Sequence, residues 1–98
     1  MPFHHFIPRT LSLAGINTYA PTASGVYGIS NAREWIYIGK TDNIQLALLE
    51  HLQEAHTSMM DRSPTGFVFE MCEPEGRSAR QDQLVLEYKP TCNRGAVR

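Results

Sequence analysis

Two short runs of apolar and aromatic residues, divided by a tight polar connection, constrain this chain more than any other feature. Gly25-Val26-Tyr27-Gly28-Ile29-Ser30 alternates Val26 with aromatic and small side chains, then meets the turn signal Asn31-Ala32-Arg33. Trp35-Ile36-Tyr37-Ile38 follows, β-branched and aromatic, and Gly39 ends it. Strand-forming runs this close in sequence are expected to pair as an antiparallel hairpin.

The hairpin leads into a helix. Asp42 or Asn43 can cap it, and Ile44, Ala47, Leu48, His51, Leu52 and Ala55 recur at helical spacing, so residues 44–56 should turn one face to the hairpin. Leu46 and Leu49 fall outside that stripe and either widen the buried face or offer a partner surface. After a polar connection containing Pro64, Gly66-Phe67-Val68-Phe69-Glu70-Met71-Cys72 reads as a third strand. Glu73-Pro74-Glu75-Gly76 reads as a turn, and a second helix is expected over 77–88, ended by Pro90, with Leu84, Val85 and Tyr88 inward. The order β-β-α-β-α predicts a small α/β (α+β) domain, a three-stranded antiparallel sheet flanked by helices. Residues 1–24, punctuated by Pro2, Pro8 and Pro21, are read as an extension covering one side of the domain. Within it, Thr10 to Ile16 suits a short helix or an edge strand equally. Residues 94–98 form a short basic tail.

Composition narrows the class. The chain has 98 residues, 42% hydrophobic and 19% charged, which is one folded domain's worth rather than a disordered segment. Nine basic residues face ten acidic ones for a net charge of −1, so gripping nucleic acid through bulk charge is disfavoured. Lys89, Arg94, Arg98, Arg77 and Arg80 either form a local basic patch or are ordinary solvated charges. Cys72 and Cys92 are too few for a disulfide framework or a zinc site and are expected as free thiols. The start Met1-Pro2-Phe3-His4-His5 lacks a signal peptide's pattern, and no apolar stretch is long enough to span a membrane. A cytoplasmic protein without membrane contact is expected.

The motifs then point to a family. Gly25-Val26-Tyr27 resembles the GIY element and Tyr37-Ile38-Gly39 the YIG element of the GIY-YIG nuclease superfamily, and Lys40-Thr41-Asp42-Asn43-Ile44 continues the match. Leu84-Val85, Pro90 and Asn93 fit the second helix and its closing Pro-x-x-Asn. The resemblance covers residues 25–93. It implies metal-dependent cleavage of DNA phosphodiesters, with Mg²⁺ or Mn²⁺ as the cofactor of an active site. A GIY tyrosine would activate water or relay its proton, and a YIG tyrosine would position it. An arginine on the first helix would stabilise phosphate, a glutamate on the second would bind metal, and a late asparagine would steady the site.

Carried over residue by residue, Tyr27, Tyr37, Gly39, Lys40 and Asn93 match, and His51 fits a histidine common in the superfamily. The arginine slot holds Ala47 and the glutamate slot holds Gln81. Both replacements remove charge where charge does the chemistry. Asp82 adjoins Gln81 but points about 100° away around the helix. Lys40, Arg80 or Asp82 would have to supply the missing charges of an active enzyme. The expectation is therefore an inactive or strongly attenuated domain, with no cofactor, that works by binding nucleic acid or protein. The alternatives are a divergent endonuclease and a self-associating domain using the Leu46/Leu49 side. His4, His5 and His56 carry no metal-ligand spacing and read as ordinary histidines, and Tyr27 and Tyr37 serve core packing as readily as catalysis.

Overall fold

The computed structural model describes residues 3, 8–53 and 64–91 of the chain. Seven elements follow one another: β1 (Arg9–Thr10), α1 (Leu13–Tyr19), β2 (Gly25–Ser30), β3 (Trp35–Thr41), α2 (Ile44–Gln53), β4 (Gly66–Met71) and α3 (Pro74–Tyr88). The strands form one antiparallel sheet in the order β1-β4-β2-β3. The architecture is the expected α+β domain, with one correction: the sheet has four strands, not three. The fourth, β1, pairs only Arg9 with Phe67 and Thr10 with Gly66, too short for alternation to register in the sequence. The ambiguous stretch around Thr10 to Ile16 holds both options in succession, an edge strand and then a helix capped by Ser12, whose side chain accepts from the Gly15 N–H.

β2 lies between β4 and β3 and is buried along its whole length. Its alternating side chains feed two cores. Tyr27 and Ile29 join Phe67 beneath α1 and α2, where Ile16, Ala20, Ile44 and Leu48 close the cluster. Val26 joins Ile38 and Val68 beneath α3, where Leu84 and Phe3 close the other. An irregularity after Ile29 pairs Trp35 with Ser30 but Tyr37 with Ile29. The extra residue, Ile36, shifts the parity of β3. Trp35 therefore packs on the α3 side against Phe3 and Tyr88, and Tyr37 on the α2 side.

Asn43 caps α2 through its Oδ1, which accepts from the Leu46 N–H at 3.0 Å. The expected end of this helix, near residue 56, lies outside the described residues. α3 begins at Pro74 and not at Arg77, so the expected turn is instead the first turn of the helix. Proline's fixed φ and missing N–H suit the first helical position, and the signals for a turn and a helix start coincide there. α3 ends where Lys89 turns left-handed, at φ 51°, just before Pro90. Among the described residues, no helix is long and apolar enough to cross a membrane.

Candidate functional site

The site assembles along β3, which is where the chain brings most of its motif residues together. Tyr27 pairs across the hairpin with Gly39, and its ring lies over the backbone of that glycine. A methyl group at Gly39 would sit 2.6 Å from the Tyr27 hydroxyl oxygen and 2.7 Å from a Tyr37 ring carbon. Only a residue without Cβ lets both rings settle there. Replacing Gly39 by alanine is expected to destabilise the domain by about 1–3 kcal/mol through overpacking. A urea midpoint measured by circular dichroism would check this, and an unchanged midpoint would contradict the close approach.

Tyr27, Tyr37 and His51 form a compact aromatic cluster. Ring centroids are 6.0 Å apart for Tyr27 and Tyr37, 5.5 Å for Tyr27 and His51, and 5.3 Å for Tyr37 and His51. The Tyr27 hydroxyl shares a hydrogen bond of 2.7 Å with His51 Nε2, its direction set by the imidazole tautomer. A second hydrogen bond links Tyr27 to Tyr37. Burial pushes the Tyr37 phenol above its ordinary value, and the bond with Tyr27 pulls less strongly the other way. Tyr37 thus stays protonated at neutral pH. Two phenols and an imidazole in series can pass a proton between water and a buried oxygen.

Ala47 lies one turn before His51 on α2, partly buried and packed against the core that contains Tyr27. Gln81 reaches β3 from α3 on the other face of the sheet, where its Nε2 donates to the Ile38 carbonyl at 3.1 Å. A carboxylate cannot donate that bond. Lys40 is exposed, and its Nζ donates to Ser78 Oγ on α3 at 2.7 Å. Arg80 points at Glu70 instead of the cluster: its Nε and Nη2 donate to the two carboxylate oxygens at 2.7 and 2.8 Å. Asp82 is exposed. Asn93 lies outside the described residues, as do His4, His5, His56 and Cys92.

Magnesium and manganese are held mainly by carboxylates and other hard oxygens. The residues present do not fit such an ion. Gln81 is a neutral amide tied to backbone, Glu70 is engaged by Arg80, and Asp42 is engaged by Arg77. Among the described residues, no group of three or more His, Cys, Asp or Glu side chains is placed to hold a metal.

Sequence reasoning treated Arg77 only as part of a diffuse basic stretch and passed over Ser78. Arg77 Nη1 donates to Ser24 Oγ at 2.9 Å, to the Thr41 carbonyl at 3.2 Å and to Asp42 Oδ1 at 2.5 Å. Its place one turn before Gln81 on α3 was the available signal.

Comparison with protein-family models gives no match, nor does comparison with curated proteins. Solved structures do match. The N-terminal GIY-YIG endonuclease domain of UvrC from Thermotoga maritima, bound to its catalytic divalent cation magnesium, has a TM-score of 0.66 and 20% identity, covering 79% of this chain and 93% of that one. A tyrosine-to-phenylalanine point mutant of that domain, also with its catalytic cation, matches at 0.66 and 19%, covering 79% and 92%. An asparagine-to-alanine point mutant matches at 0.66 and 20%, with the same coverage. With the paired tyrosines on the hairpin and helices on both faces of the sheet, this agreement shows that the chain has a GIY-YIG-like fold.

Proposed function

We propose that this domain binds nucleic acid and does not cut it efficiently. The observation that carries this reading is the state of two positions: a methyl group packed against the core at Ala47, and a Gln81 amide committed to the Ile38 carbonyl. In-line displacement at phosphorus needs cations to absorb developing charge. Losing one electrostatic stabiliser of this kind costs about 2.7–4 kcal/mol of barrier, roughly a hundred- to thousand-fold in rate. With two lost, the tyrosines and His51 have a proton path without the charges that make it useful. UvrC's nuclease domain supplies the analogy for a nucleic-acid ligand, and the near-neutral charge implies modest, salt-sensitive affinity.

Purified protein incubated with plasmid and branched DNA, with Mg²⁺ or Mn²⁺, is expected to leave both substrates intact. Robust cleavage that Tyr27→Phe abolishes would overturn the reading.

The hydrogen-bonded Tyr27, Tyr37 and His51 favour a second reading, a divergent endonuclease whose cations come from elsewhere. Lys40 is the strongest support for it. Arg80 supports it less, because Glu70 already takes its guanidinium in a two-point contact. Self-association through the Leu46/Leu49 side has weaker support still: Leu49 packs against the core and Leu46 is left on its own.

A further inference from the structure

We infer that Lys40, Arg77 and Ser78 form a ridge at the end of β3 that contacts nucleic-acid phosphates, and that the Asp42 carboxylate on Arg77 Nη1 weakens that contact. The inference rests on the nucleic-acid reading above and names the surface that carries it. Two pairs of sequence neighbours meet at this point: Lys40 and Thr41 at the end of β3, and Arg77 and Ser78 early in α3. Ser78 Oγ receives the Lys40 ammonium at 2.7 Å, and the Thr41 carbonyl receives Arg77 at 3.2 Å. Two cations from different elements are thus tied to the same junction of β3 and α3.

Arg77 has the geometry for phosphate. Its three hydrogen bonds all leave from Nη1. The Nε and Nη2 edge keeps the fork that matches two phosphate oxygens. The side chain is 21% exposed, while that of Asp42 is 85% exposed. An ion pair with so exposed a carboxylate is weak and easily exchanged for another anion. Where the fold's relatives are expected to bring an arginine from the helix after the hairpin, this chain has Ala47 there and brings a cation from α3 instead. Glu73 and Glu75 open the same helix and set an acidic background, so affinity should fall in the non-specific range, about 10⁻⁴–10⁻⁶ M.

The test is fluorescence anisotropy of the full chain with short single-stranded DNA, duplex DNA and RNA across a salt series. Lys40→Ala and Arg77→Gln are each expected to weaken binding in every arm and to lower the slope of log affinity against log salt by about 1. Asp42→Asn is expected to tighten binding roughly two- to fivefold by removing a negative charge beside Arg77. Lys40 and Asp42 are exposed, so those two variants carry the test even if Arg77→Gln does not fold. Wild-type binding that these variants leave unchanged overturns the ridge and leaves the nucleic-acid reading standing. Absence of wild-type binding even at low salt overturns both. A loss confined to DNA or to RNA overturns phosphate as the shared ligand.

Discussion

Leu84→Ala is expected to destabilise the domain by about 2–5 kcal/mol, the range for emptying a buried leucine site. That is a large part of the roughly 5–15 kcal/mol that holds a small domain together. Among the described residues, Leu84 is the one buried side chain of α3, and it closes the cluster of Phe3, Val26, Ile38 and Val68. Val85 and Tyr88 pack alongside but remain partly exposed. Because α3 also carries Arg77, Ser78 and Gln81, loosening its anchor would move the whole α3 side of the site. Urea denaturation followed by circular dichroism would measure the shift in midpoint. A loss below about 1 kcal/mol would mean that α3 is held chiefly elsewhere.

Glu70→Ala should cost about 3 kcal/mol, because it strands the Arg80 guanidinium in a site where both side chains are 10% exposed. The hydrogen bond to Glu70 is the main reason that Arg80 holds its proton more tightly than usual, with burial acting against it. Gln83 also receives Arg80 Nη1, at 2.6 Å, but a neutral amide cannot replace a two-point carboxylate. Replacing both partners with apolar residues of similar volume is expected to recover most of the loss, since no charge is then left without its partner. The same denaturation series, run on the single and double variants, checks both statements. A Glu70→Ala protein as stable as the parent would contradict a stabilising role for the Arg80–Glu70 pair.

How far the sequence reveals this molecule depends on the range of each interaction. The hairpin and α2 are legible because their signals are local: alternation through Val26, Tyr27 and Ile29, a turn at Asn31, and a cap at Asn43. Gly39 is legible as a motif residue, although its reason, the Tyr27 ring crossing it, appears only in three dimensions. The edge strand Arg9–Thr10 is not legible, since two residues cannot show a period. The displaced parity of Trp35 and Tyr37 is hidden as well, because a bulge leaves no mark in composition. At the site, the absence of charge at Ala47 and Gln81 is plain from spacing. What Gln81 does instead is not, because its acceptor, the Ile38 carbonyl, is 43 residues away in sequence. The commitment of Arg80 to Glu70 and of Arg77 to Asp42 escapes for the same reason.

Gln81 presents an amide bound to the backbone of β3, and we expect it to hold no metal ion. Crystals of the full chain soaked in Mn²⁺, read by anomalous diffraction, address it directly. We expect no manganese on Gln81, with its Nε2 still donating to Ile38. A manganese ion bound to the Gln81 side-chain oxygen would contradict this.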